Sequence, residues 1–172
     1  MKFNENEKKM KNDFIYYLAG ILLIIAYLIP WFLDNSVYMK ELWYTGWIIW
    51  IIGLVLLFLP MFVFRSKGKV MKESDWTKTT FLVDTGIYSI IRHPLYLGWI
   101  LMYFAIILWN QHYLIMIIGI AGAICVYQIS RQEDQLLIKK FGDDYLDYMK
   151  KVPRMNFFLG LIQLVQHRKN KS

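Results

Sequence analysis

Four apolar runs divide the chain, at residues 14–33, 43–64, 95–109 and 113–129. A helix rises about 1.5 Å per residue and a bilayer core is about 30 Å thick, so the first two runs have the length of membrane crossings. The first exceeds the apolar core of a signal peptide and lacks a small-residue cleavage site, which favours a retained transmembrane helix. Pro30 marks its exit or a kink. The last two runs are shorter, so their helices are expected to extend past the apolar segments. Only Asn110-Gln111-His112 separates them, and so short a connection implies an antiparallel helical hairpin. Trp43, Tyr44, Trp47 and Trp50 form an aromatic cluster of the kind found at membrane interfaces.

The polar segments complete the pattern. Residues 1–13 read as a short Lys-rich tail and 34–42 as a short connection. Residues 65–93 are the longest hydrophilic stretch and too polar to cross. Within it, Thr80-Phe81-Leu82-Val83 reads as a short extended or membrane-dipping piece, and Asp84-Thr85-Gly86 as a turn. After residue 129 the fourth helix should emerge into water through Arg131-Gln132-Glu133-Asp134. Leu137, Phe141, Tyr145 and Tyr148 then recur at helical spacing, an apolar stripe interrupted at Gly142. That pattern predicts one helix ending near Gly142 and a second, short one starting at Asp143 or Asp144. Val152-Pro153-Arg154 should end it. Residues 157–165 are apolar but too short to span, and are expected along the membrane surface.

Composition moves the whole reading into the membrane class. The 172 residues are 57% hydrophobic and 17% aromatic, with mean hydropathy +0.34, which suits one membrane domain rather than a soluble one. A net charge of +7 would suggest nucleic acid in a soluble chain. Here it reads as basic edges beside anionic lipid, with no nucleic-acid partner. Segments 1–13, 65–94 and 130–172 hold 19 of the 20 Lys and Arg residues, and Lys40 is the exception. By the positive-inside rule this predicts an all-α integral membrane fold of four transmembrane helices, with both termini cytoplasmic and a cytoplasmic C-terminal amphipathic helical segment. A multi-pass protein of a prokaryotic plasma membrane fits the lack of sorting signals. Cys125 stands alone, which excludes disulfides and thiolate metal sites. His93, His112 and His167 have no metal-ligand spacing, so no metal is expected.

The candidate chemistry lies in two polar clusters on the predicted cytoplasmic side. One is Ile91-Arg92-His93-Pro94-Leu95-Tyr96-Leu97-Gly98, with Tyr88 just before it. Pro94 suits the first turn of a helix, which leaves Arg92 and His93 outside that helix near its free N–H groups and positive dipole end. Such a place can hold an anionic group. The other cluster is Arg131, Glu133 and Asp134. The tight hairpin should bring the two together. Carboxylates suit an ammonium, the helix start suits a carboxylate, and tyrosines suit a sulfonium. The constellation therefore admits S-adenosylmethionine, with Thr80–Val83 as a candidate wall for the nucleotide half. Residue by residue, the bland readings are interfacial anchors for Arg92 and Arg131, a solvated face for Glu133 and Asp134, and a helix cap for His93. No G-x-G-x-x-G follows a strand, which argues against a Rossmann enzyme.

Gly86-x-Tyr88, Arg92-His93-Pro94-x-Tyr96-x-Gly98, Glu133-Asp134-x-x-Leu137, Phe141-Gly142-x-x-Tyr145-x-x-Tyr148 and Val152-Pro153-Arg154 together resemble the isoprenylcysteine carboxyl methyltransferase family. Phospholipid N-methyltransferases share much of this pattern, which covers about residues 76–158. The resemblance implies an integral membrane enzyme that binds S-adenosylmethionine in a cytoplasmic pocket and takes a lipophilic acceptor, prenylated or phospholipid, from the bilayer. Its cofactor residues carry over onto Thr80, Phe81, Leu82, Val83, Tyr88, His93, Pro94, Leu95, Tyr96 and Glu133. Asp134 stands where the family often has a second Glu. Prenylcysteine methyltransferases place an Arg four residues before the first acid, associated with the substrate carboxylate, and here that position is Ile129. Arg131 lies about 160° away around an α-helix.

On this reading Glu133 and Arg131 serve catalysis, Arg131 as an acceptor contact, while His93, Tyr96 and Glu133 hold the cofactor. Transfer is direct displacement at the sulfonium. A carboxylate acceptor needs no base, whereas an amine must lose a proton to His93, Glu133 or a tyrosine. Two other classes compete: an NADPH-dependent enzyme like the membrane sterol reductases, whose extra crossings are missing here, and a non-catalytic four-helix membrane module.

Overall fold

The computed structural model of the chain describes residues 2–33, 39–67 and 82–169. Among them there is no strand. The elements are α1 (Lys2–Leu28), a 3-10 turn (Ile29–Phe32), α2 (Lys40–Lys67), a second 3-10 turn (Gly86–Ser89), α3 (Pro94–Asn110), α4 (Tyr113–Phe141), α5 (Asp143–Lys151) and α6 (Phe157–Lys169).

The four apolar runs fall on α1 with the 3-10 turn that follows it, and on α2, α3 and α4. Two boundaries differ from expectation. α1 begins at Lys2, so most of the residues read as a tail are helical. α4 runs on to Phe141 as expected, but α3 gains only one residue at each end and stays at 17, about 26 Å long. Among the described residues, three stretches are long and apolar enough to cross a membrane: Asp13–Phe32, Lys40–Pro60 and Tyr113–Phe141. α1 gives way to the 3-10 turn at Pro30, which has no N–H to continue it.

The chain forms two compact units. The first comprises Met1–Val55 and Gly98–Glu133, the second Leu56–Leu97 and Asp134–Ser172. The core of the first unit is Ala26, Ile106 and Ile115, with Leu23, Tyr27, Trp109 and Ile118 against it. Its helices approach closely where glycine leaves room for an aromatic ring. A Cβ on Gly122 would lie 2.2 Å from the Tyr103 ring, and one on Gly46 would lie 2.7 Å from the Trp109 indole. Tyr103 is buried and its hydroxyl donates to the Ala19 carbonyl. Trp50 Nε1 donates to the Tyr27 hydroxyl at 2.8 Å. Small residues and interhelical hydrogen bonds are the expected glue where lipid supplies no hydrophobic drive between helices. In the hairpin loop Gln111 has φ +48. Its side chain clamps the backbone of Met39, donating to the carbonyl at 2.8 Å and accepting from the N–H at 2.9 Å.

The second unit is organised by the stripe seen in the sequence. Tyr145, Tyr148 and Val152 are buried together, with Leu82, Leu137, Ile138 and Phe141 packed on them. α4 stops because Gly142 turns to φ +58, a conformation that favours glycine. α5 then starts with Asp143 and Asp144 and ends with Lys150 and Lys151, each charge matched to the helix dipole. α5 is thus the expected amphipathic C-terminal helix. Asn156 begins α6, its Oδ1 accepting from the Leu159 N–H at 3.0 Å. α6 is apolar on several sides, exposing Phe158, Leu159, Ile162 and Val165.

Candidate functional site

The corner at residues 90–97 is built by main-chain bonds from a distant part of the chain. Pro94 opens α3, and the His93 carbonyl accepts the first helical bond, from the Leu97 N–H at 3.1 Å. Just outside the helix, the N–H of Arg92 donates to the Pro153 carbonyl and that of His93 to the Arg154 carbonyl, each at 3.0 Å. Backbone donors this deeply buried must be paired, and the Val152-Pro153-Arg154 segment pairs them. The corner also presents its side chains.

Those side chains converge on Asp134. Asp134 is 2% exposed, His93 5% and Arg92 9%. Asp134 Oδ1 accepts from Arg92 Nη1 at 3.0 Å, from His93 Nε2 at 2.7 Å and from the Tyr145 hydroxyl at 2.6 Å. Oδ2 accepts from Arg154 Nε at 2.8 Å, and Arg154 Nη2 forms an ion pair with the same oxygen at 2.7 Å. A carboxylate can be buried when its charge is matched and its lone pairs are filled, and here both conditions hold. Because a carboxylate oxygen only accepts, His93 Nε2 carries the proton of that bond. The His93 ring stands 5.6 Å from the Tyr96 ring.

The two tyrosines of α5 serve this frame. Burial raises the pKa of Tyr145 above the usual phenol value, and its bond to the Asp134 carboxylate raises it further. Burial likewise raises Tyr148, whose hydroxyl donates to the Tyr88 carbonyl at 2.6 Å. Both phenols therefore stay protonated at physiological pH and act as donors, not bases. The Tyr148 bond pins the 3-10 turn Gly86–Ser89, which Gly86 enters at φ +66. That explains the Gly86-x-Tyr88 spacing: glycine allows the turn, and Tyr88 supplies the carbonyl.

The other expected site residues are distributed as follows. Thr80 and Phe81 lie outside the described residues. Leu82 and Val83 are half-buried and non-helical, and Leu82 packs on the Tyr145 cluster. Pro94 is buried; Leu95 and Tyr96 are half-buried in the first turn of α3. Arg131 is exposed and Glu133 half-buried on α4. Asp134 is an acid that meets the corner. Three residues that the sequence reading gave no role, Tyr145, Tyr148 and Arg154, hold the frame. A signal for Asp134 was present. It lies three residues before Leu137 and seven before Phe141, on the stripe that packs inward, while Glu133 lies off it.

One further feature bears on ligand binding. Arg92 Nε is buried with no partner among the described residues. Such a donor, beside a fully engaged carboxylate, calls for an acceptor.

The chain's sequence is similar to those of known proteins. A family model described as phospholipid methyltransferase matches residues 42–144. The protein-S-isoprenylcysteine O-methyltransferases of Dictyostelium discoideum and Mus musculus are each 30% identical to the chain. The matches cover 80% and 86% of it, and 58% and 56% of those relatives. A methanethiol S-methyltransferase of Crocosphaera subtropica is 25% identical over 76% of the chain and 51% of its own length. The chain therefore spans little more than half the length of these curated relatives. No solved structure matches it.

Proposed function

The chain belongs to the phospholipid methyltransferase family, and from that premise we propose that it transfers a methyl group from S-adenosylmethionine to a lipophilic acceptor at the cytoplasmic face of a membrane. The observation that carries this reading is the corner itself. Asp134 fixes Arg92 and His93 at the start of α3, in the motif stretch where the resemblance puts the cofactor.

The residues present fit the methyl donor. Arg92 Nε is a buried donor awaiting an acceptor, which suits the carboxylate of an amino-acid group. Glu133, the residue before Asp134, takes the ammonium. The rings of Tyr88, Tyr96 and His93 face the sulfonium. Thr80, Phe81, Leu82, Val83, Pro94 and Leu95 contribute walls for the nucleoside half. Asp134 is a positioning residue: its oxygens go to protein donors, and it acts through His93 and Arg92.

S-adenosylmethionine supplies, when bound, an electrophilic methyl carbon on a positively charged sulfur. The chain's own task is to align the acceptor with that carbon and keep water away. The first reading of the acceptor is a prenylcysteine-like carboxylate, which needs no base, with Arg131 as its contact. One observation favours a second reading, a phospholipid amine. Ile129 is 6% exposed and stands where the resemblance puts the substrate-binding arginine, so a carboxylate would lack that cation. An amine must lose a proton, and the raised, donating phenols of Tyr145 and Tyr148 do not serve. Glu133 or His93 takes that part.

The same reading places four crossings in the bilayer, on α1 to α4, with both termini cytoplasmic, in a prokaryotic plasma membrane. Its support is that 19 of the 20 basic residues lie in segments 1–13, 65–94 and 130–172.

Calorimetry on purified protein in nanodiscs tests the proposal. S-adenosylhomocysteine should bind and NADPH should not. Binding of NADPH alone would make the chain reductase-like, and binding of neither would leave a non-catalytic membrane module. Labelled methyl transfer to a prenylcysteine or to phosphatidylethanolamine then separates the acceptors. Glu133→Ala should weaken S-adenosylhomocysteine binding about tenfold, since a charge-assisted hydrogen bond is lost; unchanged affinity removes that role.

A further inference from the structure

α6 touches the corner through main chain. A Cβ on Gly160 would lie 1.9 Å from the Ile90 carbonyl oxygen and 3.1 Å from Ile90 Cγ2, so the two backbones meet with no side chain between them. That contact fixes which face of α6 points inward: Gly160 is buried, while Phe158 is 79% exposed. Gln163 follows Gly160 by three residues and so shares its face, one turn on. Its Oε1 is buried and has no partner among the described residues. Two residues beyond Ile90 on the facing strand of chain, Arg92 Nε is buried and unpartnered too. The second unit therefore holds an unmet acceptor on α6 and an unmet donor at the corner, and these two atoms do not bond each other. Native interiors rarely leave such atoms unserved.

We propose that Gln163 binds ligand: its side-chain carbonyl accepts a hydrogen bond from a neutral donor, a hydroxyl or exocyclic amine, on the nucleoside half of the methyl donor. This rests on the proposed function and extends its site to α6, which neither the motifs nor the family match at 42–144 includes. The class of donor follows from the acceptor. An amide oxygen carries no charge, so a cation buried against it would lack compensation. Of the donors on S-adenosylmethionine, the ammonium suits the Glu133 carboxylate. The ribose hydroxyls and the adenine amine are what a buried amide can serve.

The experiment is calorimetry on the full chain in nanodiscs, with S-adenosylhomocysteine and three analogues lacking the 2′-hydroxyl, the 3′-hydroxyl or the adenine amino group. In the wild type one analogue should bind about five- to tenfold more weakly than the parent, the worth of one neutral hydrogen bond. Gln163→Met keeps the volume and removes the acceptor. It should weaken the parent by the same factor and leave that one analogue unchanged, since the bond is already missing. A purely structural role for Gln163 would lower all four affinities together, and that result overturns the proposal. So does a Gln163→Met protein that binds the parent like the wild type. Should the variant not fold, the wild-type series still decides, because three analogues as tight as the parent leave Gln163 no donor. Wild-type protein that does not bind S-adenosylhomocysteine at all sinks the proposed function instead.

Discussion

The two compact units are held together by different chemistry. In the first, the close contacts are between a small residue and a ring: Gly122 under Tyr103, Gly46 under Trp109. Its polar bonds are separate ones, such as Tyr103 to the Ala19 carbonyl and Trp50 to the Tyr27 hydroxyl. In the second, two guanidiniums, an imidazole and a phenol meet at one carboxylate. The difference follows from the surroundings each must satisfy. Helices among lipid tails gain little from hiding apolar surface, so shape and single hydrogen bonds must hold them. Cations and an imidazole buried this deeply need a matched charge, and a shared counter-ion holds them in fixed positions. The first unit should therefore lose stability in many small steps, and the second in one large step.

The largest effect tests the second half of that statement. Asp134→Ala leaves Arg92 and His93 buried without their acceptor and should cost about 3–5 kcal/mol, as breaking a buried ion pair does. Chemical unfolding in micelles would measure it. A loss under about 1 kcal/mol, in the range of an exposed pair, would erase the contrast. In the first unit, Gly122→Val drives a side chain into the Tyr103 ring and should cost about 1–3 kcal/mol by overpacking. Tyr103→Phe removes one buried hydrogen bond and should cost about 1 kcal/mol, read by the same unfolding curves. At the bottom of the scale, Lys150→Ala breaks the 2.7 Å bridge to Asp147. Both partners are exposed, so thermal unfolding should not move beyond error. A measurable shift would mean that surface charge contributes to this unit.

Much of this was legible in the sequence, and the illegible part has a physical pattern. The break at Gly142, the stripe through Tyr145 and Tyr148, the tight hairpin at residues 110–112 and the Pro94 start of α3 are local. They depend on residues within a few positions of each other, and periodicity reads them. The choice between Glu133 and Asp134 is not local in this sense. Adjacent helical residues point about 100° apart, so the choice depends on how α4 is rotated, which the position of Leu137 and Phe141 could have indicated. Arg154 as an ion-pair partner of Asp134, and Gly160 beneath the Ile90 carbonyl, depend on how the chain returns after Val152. No spacing encodes that. The helical start at Lys2 was missed for another reason: polar sequence can be solvated helix or tail, and the hydrophobic pattern does not distinguish them.

The pairing of Arg92 and His93 with the carbonyls of Pro153 and Arg154 also sets an order of events during synthesis. The long apolar helices can form while the ribosome is still translating, yet the corner waits for residues made some sixty positions later. Until they emerge, two amides and a pair of basic side chains stand open to water. A nascent chain arrested after Lys151 should therefore contain its long helices and be protease-sensitive around residue 92, and release of the last stretch should close that cleavage window.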